Sequence, residues 1–153
     1  MEGEDIVVLT SGICTEEAMR VLPTVQGRGV SVAHLHISTH KPFDDPTVLN
    51  ALKRAKKGIF TLENHTIIGG LGSAVAEMMA TNGIGVPLTR LGLQDTYAHG
   101  ASQKFLMKEY GLDARALVQA IEARLGASLE IHDDEITEGH TSAVHSSAKV
   151  EAL

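Results

Sequence analysis

The chain has 153 residues, 43% of them apolar, with 13 Lys and Arg against 19 Asp and Glu, one Cys, two Tyr, three Phe and no Trp. That is enough for one domain around one core, while the net charge of −6 argues against non-specific binding of nucleic acid or anionic membrane, and the few aromatic rings leave little for stacking platforms. A lone Cys14 closes no internal disulfide, the opening MEGEDIVVL carries no basic region ahead of its short apolar run, and no apolar stretch nears the roughly 20 residues that span a bilayer; the expectation is a reduced, cytoplasmic setting.

Strands alternate with helices along the first 126 residues, the pattern of a largely parallel sheet covered on both faces. Residues 6–9, IVVL, form a continuous β-branched run suited to a strand buried on both sides. After a turn at Ser11 and Gly12, Thr15 reads as an N-cap, and Ala18, Val21, Leu22 and Val25 keep the spacing of a buried helical stripe. Pro23 lies inside that stripe, which predicts a kink or break near Leu22. Residues 30–37 supply a second strand. Asp45 followed by Pro46 opens a helix with Val48, Leu49, Leu52 and Ala55 inward, and Lys53, Arg54, Lys56 and Lys57 form a solvated face at its end.

Residues 59–63 form a third strand and residues 72–81 a helix on which Leu71, Val75, Met78 and Met79 share a side, the methionines as core filler. The fourth strand takes residues 87–93. Two helices follow, over residues 102–110 and from an Asp113 cap through Leu117, Val118, Ile121 and Leu125, with Gly126 closing the fold proper. The body holds 12 basic and 13 acidic side chains, whereas residues 127–153 hold one basic and six acidic. This acidic tail, rich in Ser, Ala and His over residues 140–149, buries little surface and is expected to be mobile beyond about Glu138.

The densest motif is ENHTIIGGLGSAVAE, residues 63–77: a strand end, a polar corner, a glycine turn and a helix start. Its glycines suit either tight strand-to-helix packing or an anion at the helix N–H groups, but its spacing is neither a dinucleotide fingerprint nor a Walker loop. His34 and His36 share a strand face with His40 close behind, yet zinc would need a third ligand that the spacing of Cys14 and Asp44 does not supply, and His132, His140 and His145 are too scattered. Cys14 at a helix start could be a lowered-pKa nucleophile, but no His or Asn is placed beside it. Asp95, Tyr97 and His99 follow a strand end, where open parallel sheets present functional groups and where such residues also cap loops.

In their order, DIVVLTSG (residues 5–12), THKPFD (39–44), ENHTIIGGLGSAVAE and GLQDTYAHG (92–100) resemble the C-terminal domain of transketolase and its thiamine-diphosphate relatives, over about residues 5–126. The resemblance implies a three-layer α/β/α domain with a mixed, mostly parallel sheet of about five strands, the first antiparallel to the rest. It also implies two-carbon ketol transfer between sugar phosphates on thiamine diphosphate with a divalent metal (Mg), a cytoplasmic dimeric enzyme, and thiamine-diphosphate-binding domains or subunits as partners. The family's G-D-G motif is absent here, so the chain resembles a fragment or separately encoded subunit that binds no cofactor alone. Gln94 stands where relatives often have Pro, and His40 where they are usually apolar. No catalytic residue carries over; Glu63, His65, Gly69, Gly70, Gly72, Asp95 and His99 are the candidates for a domain interface or anion site. A stand-alone small-anion-binding or regulatory module is the competing reading.

Overall fold

The computed structural model describes residues 2–136; the expected mobility beyond Glu138, with His140 and His145, lies outside them. Within the described residues the chain folds as β1 (Ile6–Thr10), α1 (Cys14–Gly27), β2 (Val32–His36), α2 (Pro46–Arg54), β3 (Gly58–Thr66), α3 (Leu71–Thr81), β4 (Leu88–Leu93), α4 (Gln103–Glu109) and α5 (Ala114–Leu125), with a 3-10 turn over Asp133–Glu135. The strands form one sheet in the order β2-β1-β3-β4, every pair parallel. The expectation of about five strands with the first antiparallel is therefore corrected to four, all parallel, among the described residues. Each successive pair of strands is joined through a helix, and such a crossover returns the chain in the same direction.

The sheet separates two cores. Ile6 and Val8 of β1, Val32, Phe60 and Leu62 pack with α1, α4 and α5, through Val21, Leu22, Met107, Leu117 and Ile121. Val7 and Leu9 turn to the other face with Ala33 and Ile59, under Val48 and Leu52 of α2 and Leu71, Val75 and Met79 of α3. Alternate residues of one strand thus feed opposite cores, which explains the unbroken apolar run of β1.

Three helix starts follow their caps. Asp45 accepts from Thr47 N with Pro46 at the first position, Ser102 accepts from Phe105 N, and Asp113 accepts from Ala116 N, each type of cap contributing about 1 kcal/mol. Helix α1 departs from its prediction twice. It starts at Cys14 without a side-chain cap, leaving Thr15 inside the first turn, and it continues through Pro23. Pro23 is exposed, and the carbonyl that loses its donor belongs to Met19, also exposed, so the break in the ladder falls on the solvent side of the helix, where the cost of a missing bond is lowest.

The body also extends past Gly126. That glycine ends α5 in a left-handed turn (φ 67°), but Leu129 and Ile131 are buried in the α1/α5 core. Arg28 donates to the carbonyls of Leu129 and Glu130 and to Glu135, while Arg115 donates to the carbonyl of Ile131 and pairs with Asp133. Two apolar residues in alternation were outweighed, in the sequence, by the acidic count around them.

Candidate functional site

All four strands point their carboxyl ends to one edge, and the candidate residues lie along it. Strand β3 loses register with β4 between Leu62 and Thr66: Leu62 faces Leu91, yet Thr66 faces Leu93. The two additional β3 residues form a bulge that leaves Asn64 and His65 exposed while Glu63 stays inside at 1% exposure.

A buried carboxylate must find donors. Glu63 accepts from Leu71 N (2.7 Å) and Gly72 N (2.8 Å), the first amides of α3. It thereby caps the helix from eight residues upstream and faces the positive end of its dipole. The turn is shaped around that carboxylate. A Cβ at Gly70 would lie 2.1 Å from Glu63 Oε2 and 2.7 Å from the Thr66 carbonyl, and one at Gly72 would lie 2.7 Å from Arg90 Cδ and 2.9 Å from Thr61 Oγ1. Gly69 takes φ 76°, and its N–H donates to Ser73 Oγ, which in turn donates to the Ile67 carbonyl; Arg90 donates to the same carbonyl. Glu63 takes the Leu71 and Gly72 donors, which leaves those two amides closed to an external anion.

Glu63, Gly69, Gly70 and Gly72 thus come together. His65 sits beside them, exposed, its Nδ1–H donating to the Thr66 carbonyl. Asp95 and His99 lie in the loop after β4, on the same edge but outside the knot. Asp95 is exposed with φ 48°, and His99 faces Glu109 at 3.6 Å and stands roughly perpendicular to the Phe105 ring, with the ring centroids 6.0 Å apart. Sequence reasoning singled out Tyr97, which is fully exposed, but missed two other large apolar side chains toward this edge: Ile68 is 61% exposed in the glycine turn, and Phe105 53% exposed at the start of α4. For Ile68 the signal was a large apolar residue inside a turn segment, where no core stripe claims it.

The other candidates fall elsewhere. Cys14 is buried, and desolvation, with the charges of Glu17 and Glu63 added, pushes its thiol up to about 12, the reverse of nucleophile activation. His34 and His36 direct ring nitrogens at Thr10 and Thr15. No group of three His, Cys, Asp or Glu among the described residues could hold a metal ion.

Residues 1–117 match the family of the transketolase C-terminal domain. A protein of Methanocaldococcus jannaschii described as a transketolase C-terminal section is 35% identical over 121 residues, 79% of this chain and 37% of its own length. The 6-deoxy-6-sulfo-D-fructose transketolase subunit of a Clostridium species is 36% identical over 119 residues, 78% of this chain and 36% of its own. Among solved structures, a split-gene transketolase in an inactive β4 tetramer superposes with a TM-score of 0.73 at 28% identity, covering 83% of this chain and 41% of that one. The chain therefore spans little more than a third of the length of these relatives.

Proposed function

Because this chain belongs to the transketolase C-terminal-domain family, we propose that it is the C-terminal part of a transketolase-type enzyme that moves two-carbon ketol units between sugar phosphates, active only when joined to thiamine-diphosphate-binding subunits or domains. The observation that supports this reading is the carboxyl edge of the sheet. Ile68 in the glycine turn and Tyr97 and Phe105 in and after the loop that follows β4 are large apolar groups held out to solvent, the composition of a surface that another polypeptide covers.

The described residues do not fit the cofactor itself. They offer no ligand cluster for a divalent ion, and the α3 N-terminus, a natural cradle for a diphosphate, has its Leu71 and Gly72 amides bound by Glu63. Thiamine diphosphate and Mg are therefore assigned to the partner, and the chain's part is to brace and complete the assembly, read as a cytoplasmic dimer. No helix among the described residues is long and apolar enough to cross a membrane.

The test is a ketol-transfer assay with thiamine diphosphate and Mg, on the chain alone and mixed with thiamine-binding subunits from its own source. Activity only in the mixture is expected, together with co-elution that Ile68→Asp and Tyr97→Asp weaken at least tenfold. Failure of the wild-type chain to bind those subunits overturns the reading.

A further inference from the structure

At the other side of the same sheet edge, four side chains are linked in one file. His34 Nε2 lies 2.9 Å from Thr10 Oγ1, Thr10 Oγ1 lies 2.9 Å from Thr15 Oγ1, and Thr15 Oγ1 lies 2.7 Å from His36 Nδ1. The file joins β1, the first turn of α1 and β2, and runs from a half-buried imidazole past a fully buried hydroxyl to an exposed imidazole. His36 in turn lines a cleft of about 550 Å³ with Ser38, Thr39, Phe43 and Asp44.

Three hydrogen bonds require three hydrogens, and two hydroxyls supply two. At least one imidazole must therefore direct an N–H into the file. With both rings neutral, the ordinary Nε2–H tautomer meets this requirement at both ends together: His34 Nε2–H donates to Thr10, Thr10 to Thr15, and Thr15 to the bare Nδ1 of His36. When His36 takes a second proton its Nδ1 becomes a donor, and the file reverses. Thr15 then donates to Thr10 and Thr10 to His34 Nε2, which must be bare. One proton is taken up overall: His36 passes from one to two, and His34 keeps one that has moved from Nε2 to Nδ1.

We propose that these four residues form a directional proton relay, through which the protonation of His36 at the cleft sets the tautomer of His34 in the interior. Burial supports the asymmetry, since it disfavours charge on His34, with His36 adding to the effect. The other charged groups around the file are few. β1 carries none, β2 carries only the two histidines, α1 adds Glu16 on its exposed side and Glu17, which holds Arg20 and the Ala114 amide, and the loop before α2 adds His40, Lys41, Asp44 and Asp45, the last capping Thr47 N. The relay differs in kind from a structural clasp, which would hold the same atoms together without transmitting a change.

The test is a pH series of nitrogen-detected imidazole spectra on the full chain, with His34→Gln and His36→Gln providing the assignments. As His36 titrates, the His34 Nε2 signal is expected to move from the protonated-type toward the bare-nitrogen range with the same midpoint. Thr15→Val should abolish that response while His36 still titrates, and Thr15→Ser should restore it. A His34 signal that stays fixed through the His36 midpoint in the wild type, or one that still responds in Thr15→Val, overturns the relay.

Discussion

Glu63 concentrates most of the constraint at this sheet edge in one side chain. Replacing its carboxylate by an amide keeps the volume and one acceptor oxygen but turns an NH2 group toward one of the two N–H donors, so Glu63→Gln should lose about 2–3 kcal/mol, read as a lower urea midpoint at unchanged slope. Gly70→Ala should cost about 1–3 kcal/mol by overpacking, because its Cβ meets the Glu63 carboxylate and a backbone carbonyl, not a flexible tip. A third expectation concerns His34, whose pKa is lowered to about 4 by burial. Between its ordinary value near 6.5 and 4 the unfolded chain binds the proton that the folded chain refuses. The corresponding stability is thus complete above pH 6.5 and falls away as pH drops toward 4, by an amount on the order of 2 kcal/mol for a partly exposed ring. Urea midpoints taken across that range should slope for the wild type and flatten for His34→Gln. Cys14, with its thiol raised to about 12, should react with an alkylating reagent at pH 8 only as fast as the chain unfolds.

At the scale of elements, helix α1 carries the clearest misreading. Pro23→Ala should raise stability by roughly 1–2 kcal/mol in thermal melts, since it restores a bond to the Met19 carbonyl and loses only part of that gain to a freer unfolded chain. The proline was legible, but not that the helix would run on past it without a break, because the sequence does not reveal that the affected turn is exposed. Caps at Asp45 and Asp113 and the apolar runs of β1 and β3 were legible since each is a local rule with a local readout. The Glu63 contact was half legible: a carboxylate and a set of free helix amides stood in one motif, but only the bulge at residues 63–65 shows that the strand turns its own side chain into them. The Thr10–Thr15–His36 file was not legible at all, for it is written across β1, α1 and β2 and depends on the lateral order of strands. The family likeness suggested an antiparallel first strand, whereas among the described residues all four strands are parallel.

For the whole molecule, Arg28 has an outsized reach. From the end of α1 it holds Leu129, Glu130 and Glu135, more than a hundred residues away, and Arg28→Ala should free residues 128–136. Limited proteolysis should then cut that segment at least several-fold faster while the sheet remains protected from amide exchange. Glu135, Glu4 and Asp5 all have carboxyl pKa values held below the ordinary range, Glu135 by the His132 amide and Arg28, Glu4 by Lys56, and Asp5 by the Ser31 amide and Lys57. Each contributes in neutral solution and lets go as pH falls through its lowered value, so this outer seam should loosen in acid. The strand order carries one more consequence. β1 is central, with β2 on one side and β3 on the other, and Ile6 is registered with Gly58 fifty-two residues downstream. Within these residues synthesis therefore makes β1 before either of its sheet neighbours and seals its second flank only after α1, β2 and α2 have followed. During that interval the exposed flank of β1 is a surface for chaperones to shield, and the rate at which residues 58–66 appear sets how long the shielding must last.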